Sequence, residues 1–240
     1  MADIIRVSII GSNGKMGEMV KQEIERTTDM KVVEGIYKDP ERGRVIWVDE
    51  DKKAIRGPFV IIDVSSPDAL ENSLKDAQDL RCPLIIGTTG YSEEQKEKIR
   101  LASKHIPIMM SPNFSLGVAF FIEAILTIVR RYKDLGIQIG VKITEIHHTR
   151  KRDVSGTAIR IKGRILSVLG EEIDIPIESI RKGDVVGTHI VEITAGDVVH
   201  SLSNAVGNRT EFAVGIVEAV RCMAEINMPV GLYDMDVLIR

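Results

Sequence analysis

Cysteines, long apolar runs and excess basic charge are all missing or scarce in this sequence. Its two cysteines, Cys82 and Cys222, are too few for a disulfide framework or a zinc site. We therefore expect no bound metal and a reducing, cytoplasmic setting. No run of about 18 apolar residues occurs, and the N-terminus lacks a signal peptide, so no membrane association is predicted. A net charge of -3 gives no broad basic face, which argues against nucleic-acid binding.

The remaining composition is typical of a globular protein. Of the 240 residues, 44% are hydrophobic and 28% are charged. That length allows one large domain or two modest domains with cores of their own.

The first half of the chain alternates short apolar runs with amphipathic helical stretches. Strands are predicted over residues 4–10, 31–37, 59–64, 84–86 and 106–110. Ser66 and Pro67 fit the start of one helix, and Ser92 with Gln95 fits a capping box before another. Strands that alternate with helices predict an α/β fold with a doubly wound parallel sheet of the Rossmann type.

After about residue 115 the pattern changes. It predicts long helices over 118–133 and 158–169 and a final helix from Phe212. It also predicts strands with one solvent-exposed face over 137–143, 189–195 and 198–203. We therefore expect a Rossmann domain over 1–114 plus 212–240 and a second, α+β domain over 115–211.

A glycine-rich loop follows the first strand and opens the first helix. Glycines there allow a tight turn, and the helix start offers N–H groups to a pyrophosphate. The loop GSNGKMG comprises Gly11, Ser12, Asn13, Gly14, Lys15, Met16 and Gly17. Its place after the first strand of an alternating pattern favours dinucleotide binding over an ordinary strand-to-helix turn.

The residues near the end of the second predicted strand bear on the choice of dinucleotide. Lys38 could pair with a 2′-phosphate, and Asp39 could serve an unphosphorylated ribose. This favours NADPH, with NADH possible, and the alternative is a plain charged loop. Two later strand ends should line the nicotinamide-ribose half of the site, because ligands collect there in open α/β sheets. Their residues are Gly87, Thr88, Thr89, Ser111, Pro112, Asn113 and Phe114.

The stretch EIHHTRKRDVSGTA, residues 145–158, is the most unusual one. Adjacent histidines on an extended segment point in opposite directions, so they are poorly placed to chelate one metal ion. Lys151 and the neighbouring arginines favour an anion, and residues 155–157 before a helix offer hydroxyls and N–H groups for a carboxylate. From local features alone, a basic surface loop with a Ser/Thr cap remains the alternative.

Taken together, these motifs resemble the dihydrodipicolinate reductase (4-hydroxy-tetrahydrodipicolinate reductase) family of lysine and diaminopimelate biosynthesis. The resemblance runs nearly end to end and rests on GSNGKMG, DVSSP at 63–67, GTTG at 87–90, PNFSLGV at 112–118 and GLYDM at 231–235. Its most specific part is E-x-H-H-x-x-K-x-D followed by S-G-T-A. The sequence departs from the family's D-x-P-S-G-T pattern, because Asp153-Val154-Ser155 is one residue shorter and lacks the proline.

The resemblance implies an NAD(P)H-dependent reductase that acts on a cyclic dicarboxylate imine and assembles as a homotetramer. It implies acid/base roles for His147 and Lys151. Binding of the substrate carboxylates would fall to His148, Ser155, Gly156 and Thr157. The cofactor would be held by the glycine loop and by the strand ends at 87–89 and 111–114. A reductase of another amino-acid-derived imine or aldehyde, and an NADPH-binding protein without turnover, are the alternatives.

Overall fold

Two units, each with a sheet of its own, make up the chain. The computed structural model describes residues 4–33, 36–38, 45–47, 58–225 and 228–239. One unit comprises Met1–Phe114 and Phe212–Arg240, and the other comprises Ser115–Glu211.

The first unit is built on a six-stranded parallel sheet. Its strands are β1 (Ile5–Ile10), β2 (Met30–Val32), β5 (Phe59–Asp63), β6 (Leu84–Ile86), β7 (Pro107–Met110) and β12 (Gly231–Tyr233). Their spatial order is β12-β7-β6-β5-β1-β2, and every neighbouring pair is parallel. The helices of this part are α1 (Lys15–Glu25), α2 (Leu70–Leu80), α3 (Glu93–Ala102) and α6 (Thr210–Glu225). The predicted Rossmann-type α/β fold is confirmed.

The helix starts of this unit were predicted with mixed success. At α3 the capping box is present, with Ser92 Oγ accepting from Gln95 N at 3.2 Å and Gln95 Oε1 accepting from Ser92 N at 3.0 Å. At residue 66 the prediction was wrong in part. Ser66 makes no capping side-chain bond, and a 3₁₀ turn over Pro67–Ala69 precedes α2. Pro67 does occupy the first position of that turn, where its missing N–H costs nothing.

The strand predicted over 31–37 is not one strand. β2 ends at Val32, and Ile36–Lys38 forms β3, which pairs antiparallel with β4 (Val45–Trp47) in a separate two-stranded sheet. The strand β12 was not predicted at all. It has three residues and pairs with β7, from which it is far removed along the chain.

The second unit contains a four-stranded sheet in the order β11-β10-β8-β9. The strands are β8 (Gly140–His147), β9 (Ile177–Arg181), β10 (Gly187–Ala195) and β11 (Val198–Val206), and the helices are α4 (Leu116–Asp134) and α5 (Gly156–Leu169). β8 continues four residues beyond its predicted end, and β9 was missed. One face of the sheet packs with both helices around a core that includes Ile143, Val191 and Ile161, all fully buried.

No helix in the described part of the chain is long and apolar enough to cross a membrane. Within the same residues, no group of three or more His, Cys, Asp and Glu side chains is placed to hold a metal ion.

Candidate functional site

The predicted nucleotide residues other than Lys38 share one edge of the parallel sheet. Four neighbouring strands, β1, β5, β6 and β7, run in the same direction, so their carboxyl ends lie side by side. The glycine loop, Ser65, residues 87–89 and residues 111–114 directly follow those ends. This edge is where open α/β sheets bind ligands.

The glycine loop has the close packing that a dinucleotide cradle needs. Gly11 has a φ of +87°, and a Cβ there would lie 2.8 Å from the Val64 oxygen. A Cβ on Gly17 would lie 2.2 Å from the Gly11 oxygen, so α1 and the loop touch through backbone alone. Gly14 is the N-cap of α1 and makes no side-chain hydrogen bond to the helix. The amides of the first turn of α1 are therefore suited to bind a phosphate. The loop therefore fits a pyrophosphate.

Asp63, at the end of β5, organises the neighbouring loops. Its buried carboxylate accepts bonds from Ser65 Oγ (2.6 Å) and Thr88 Oγ1 (2.9 Å) through one oxygen and from Ser73 Oγ (2.5 Å) through the other. Thr88, a predicted cofactor residue, is buried, and its hydroxyl donates to Asp63. Thr89 is exposed. Sequence reasoning did not assign this role to Asp63, although an aspartate that ends a wholly apolar strand was a signal.

Hydrogen bonds within the turn after β7 also fix its conformation. Ser111 is buried, and its Oγ donates to the Asn113 oxygen (2.7 Å) and accepts from Asn113 N (3.2 Å). Phe114 is buried, whereas Pro112 is exposed and Asn113 partly so. Lys38 ends β3, but its side chain and Asp39 lie outside the described residues.

A second cluster lies in the other unit, on the core-facing side of its sheet. Glu145 and His147 alternate along β8 and therefore share a face. In the strand register, His189 of β10 and Ser179 of β9 lie opposite Glu145, and Arg181 lies opposite His147. Because cross-strand partners share a face, three strands supply one polar cluster next to the apolar core.

Glu145 is a fully buried carboxylate held in its ionised form. Burial by itself raises its pKa, but hydrogen bonds from Arg181, Ser179 and His147 outweigh that effect and lower the pKa to about 2. One carboxylate oxygen lies 2.9 Å from Arg181 Nη2, and the other bonds to His147 Nδ1. Glu145 can therefore orient the imidazole, as carboxylates commonly do for catalytic histidines.

His147 is 8% exposed, and its pKa lies below the ordinary value of 6.5. Burial is the main cause and the charges of Lys151 and Arg181 add to it, while Glu145 opposes them. Because Nδ1 donates its proton to the Glu145 carboxylate, Nε2 is the ring nitrogen left to exchange a proton. A Cβ on Gly187 would lie 3.0 Å from this Nε2, so glycine at that position leaves room for the ring.

His189 is the second buried imidazole of the cluster. Its ring meets that of His147 edge-on, with centroids 5.3 Å apart. Burial, helped by the charge of His147, lowers its pKa to about 4, so it is neutral near pH 7. Its Nε2 lies 3.0 Å from Oγ of Ser155, which caps α5 and also accepts from Thr157 N at 3.2 Å.

Some of the groups predicted to bind a carboxylate at the start of α5 are therefore already hydrogen-bonded to other protein groups. Ser155 is buried with its hydroxyl engaged, and the Thr157 amide is capped, so that amide is not the free donor we expected. Gly156 is exposed, and a Cβ there would meet nothing within 4 Å. His148 is partly exposed, and its Nδ1 has no hydrogen-bond partner among the described residues.

The loop between β8 and α5 carries the remaining predicted residue. Lys151 is partly buried, and its charge acts on both His147 and His189. Arg181 donates from Nε to the Lys151 oxygen (2.8 Å) and from Nη2 to the Asp153 oxygen (2.9 Å). By contrast, Arg150 pairs at the surface with Asp184 at 3.0 Å.

Four members of this cluster were not assigned a role from the sequence: Glu145, Ser179, Arg181 and His189. Glu145 had a signal, since it lies two residues before His147 on one strand. Arg181 and His189 had none, because they reach the cluster only through strand pairing with β8.

A Rossmann unit with a glycine-rich loop, joined in one chain to a unit with a buried Glu-His pair and a lysine, is typical of nicotinamide-dependent oxidoreductases. The comparisons with known proteins give the family. The model of the dihydrodipicolinate reductase N-terminus matches residues 5–114, and that of the C-terminus matches residues 117–239. The chain belongs to the dihydrodipicolinate reductase family.

Individual relatives agree along the whole chain. A 4-hydroxy-tetrahydrodipicolinate reductase of Bdellovibrio bacteriovorus is 34% identical over 98% of this chain and 96% of its own. One of Alkaliphilus oremlandii is 33% identical over 96% of this chain and 97% of its own. Among solved structures, a dipicolinate-bound dihydrodipicolinate reductase of a Paenisporosarcina species has a similar fold, with a TM-score of 0.70 and 20% identity over 96% of this chain and 97% of its own.

Proposed function

We propose that this chain performs the reaction of its family, the NAD(P)H-dependent reduction of 4-hydroxy-tetrahydrodipicolinate to tetrahydrodipicolinate in lysine and diaminopimelate biosynthesis. The observation that carries the proposal is the buried Glu145–His147 pair beside Lys151, in a chain that matches the family from end to end. The family models and the named relatives do not favour the alternatives, which are another imine or aldehyde substrate and binding without turnover.

The residues of the second unit have separate tasks in this reaction. Lys151, His148 and the start of α5 at Gly156 hold the two carboxylates of the substrate, with Ser155 and the Thr157 amide that it caps shaping that helix start. The Lys151 ammonium group also stabilises negative charge that develops in the transition state. When bound, the reduced nicotinamide supplies a hydride.

His147 supplies the proton that must accompany the hydride. In the free protein it is neutral near pH 7, because burial and neighbouring cations lower its pKa. A bound dicarboxylate adds negative charge and so favours the imidazolium. Glu145 holds the ring through Nδ1, which directs proton exchange to Nε2.

A direct assay tests the reaction. Purified protein, freshly prepared substrate and NADPH should give cofactor oxidation well above a control without protein. Oxidation at the background rate would contradict the proposal. If the same sample bound NADPH tightly, the result would favour a cofactor-binding protein without turnover.

We also infer that NADPH is the preferred cofactor, with NADH usable. The support is the sequence position of Lys38, a cation that follows β2, since the end of that strand meets the 2′-substituent of the ribose in Rossmann proteins. Lys38→Asp should move the ratio of kcat/KM values toward NADH, because it repels a 2′-phosphate. Lys104→Asp is a matched control, since Lys104 is exposed and precedes β7 at the amino end of the sheet. An unchanged ratio in Lys38→Asp would show that Lys38 does not meet the phosphate.

The cofactor loop itself can be tested at Gly17. Gly17→Ala places a methyl group against the Gly11 oxygen, which backbone cannot easily avoid. We expect weaker NADPH binding and a free energy of unfolding lower by about 1–3 kcal/mol, measured by fluorescence titration and urea denaturation. Gly163→Ala is the control, because a Cβ there meets nothing within 4 Å, and it should stabilise α5 slightly. Equal NADPH affinity in both variants would contradict a role for this loop.

We further propose that the protein acts as a cytoplasmic homotetramer. Buried, free Cys82 and Cys222 suit a reducing compartment. The side of the second sheet away from its helices carries partly exposed residues such as Thr144, Ile146 and Ile190, which a second copy would cover.

A further inference from the structure

Arg181 joins several parts of the second unit's cluster. It lies at the end of β9, with its side chain 21% exposed. Its guanidinium group contacts the Glu145 carboxylate at 2.9 Å and the carbonyl oxygens of Lys151 at 2.8 Å and Asp153 at 2.9 Å. A third nitrogen donates to the Ile180 oxygen at 3.1 Å.

We propose that Arg181 is a positioning residue that holds the segment bearing Lys151 and neutralises Glu145 behind His147. This rests on the proposed function, because Lys151 and His147 matter only if they serve the reaction. Arg181 does not contact the substrate in this scheme and acts through its two neighbours.

The first task is mechanical. Residues 151–155 belong to no helix or strand, so their position depends on contacts with other parts of the chain. The two bonds to the carbonyls of Lys151 and Asp153 hold both ends of the three-residue stretch 151–153 against β9. The rigid planar fork of an arginine suits this arrangement, because it can donate to two separated carbonyls while its charge pairs with a carboxylate.

The second task is charge balance. The groups that face His147 are Glu145 on its own strand, Arg181 on β9, His189 on β10 and Lys151 in the loop. Arg181 compensates the buried negative charge of Glu145. Without Arg181, the imidazolium of His147 would be the nearest replacement, and His147 would hold its proton to higher pH.

Two variants separate these tasks. Arg181→Lys keeps a positive charge but cannot bridge both carbonyls, so kcat should fall roughly tenfold or more while the His147 titration stays close to that of the wild type. Arg181→Met loses the charge as well, so the His147 titration should move up by about one pH unit. Nitrogen-15 NMR of labelled histidines measures that titration, and steady-state kinetics with NADPH measure kcat.

The control is Arg150→Met, which removes an exposed arginine of the same loop. It should change neither kcat nor the titration. Should Arg181→Met fail to fold, Arg181→Lys still tests the clamp, and Glu145→Gln/Arg181→Met tests charge balance. In that double variant the buried carboxylate beside His147 is gone, so His147 should titrate at or below its wild-type pKa.

The outcomes distinguish this proposal from the proposed function. Full kcat in Arg181→Lys would overturn the clamp, and an unmoved His147 titration in Arg181→Met would overturn the charge balance. A wild-type protein without reductase activity would instead refute the proposed function. The NMR titrations would then still report on the contact between Arg181 and Glu145.

Discussion

His147→Gln should lower kcat by roughly 10²- to 10⁴-fold, the usual range for loss of a general acid. Glutamine keeps polarity and approximate size but cannot take up and release a proton. NADPH affinity should stay within about twofold, because the glycine loop and the other predicted cofactor residues belong to the first unit. Initial rates and a fluorescence titration of NADPH measure the two quantities. His105→Gln, at an exposed histidine, is the matched control.

The pH profile gives a sharper test of the same residue. Burial lowers the pKa of His147 below 6.5 in the free protein. If protonated His147 is required, kcat/KM is highest at low pH and falls as the pH rises through that pKa. In kcat the fall should come at higher pH, because the bound dicarboxylate favours the imidazolium. Persistence of this limb in His147→Gln would assign it to another group.

Lys151→Ala should lower kcat/KM for the dicarboxylate by roughly 10²- to 10³-fold, comparable to the loss of one transition-state donor. Its ammonium group acts on both buried histidines, so it lies within reach of an anion that meets them. The loss should fall largely on kcat, and NADPH affinity should change little.

The neighbouring Arg152 provides the control, because it is exposed and Arg152→Ala removes a positive charge from the adjacent position. We expect a change of less than about threefold there, as for other exposed charges. An equal loss of activity and NADPH affinity in Lys151→Ala would place Lys151 on the cofactor side instead. Equal effects of the two variants would mean that only the net charge of the loop matters.

Local patterns were enough for most of the fold. Buried parallel strands such as β5 and β6 are short apolar runs between glycine and proline signals, and the capping box of α3 has its own sequence signature. The shortest strand had no such pattern. β12 has three residues and exists as a strand because β7 offers it an unpaired edge. The break between β2 and β3 was missed for a related reason, since β3 pairs with β4 rather than with the main sheet.

The sequence by itself determined the phosphate loop, the alternation of strands and helices, and the group of His147, Lys151 and the α5 start, because each is encoded within about 15 neighbouring residues. Only the tertiary structure decided how that group is held. The loop that lacks a residue and a proline between Asp153 and Ser155 is fastened by Arg181, and His147 is oriented by Glu145 and faced by His189. Those contacts depend on the pairing of β8 with β9 and β10. These pairings join segments that are distant in the sequence, such as Glu145 with Ser179 and His189, and they follow from the packing of the whole unit, which no local pattern records.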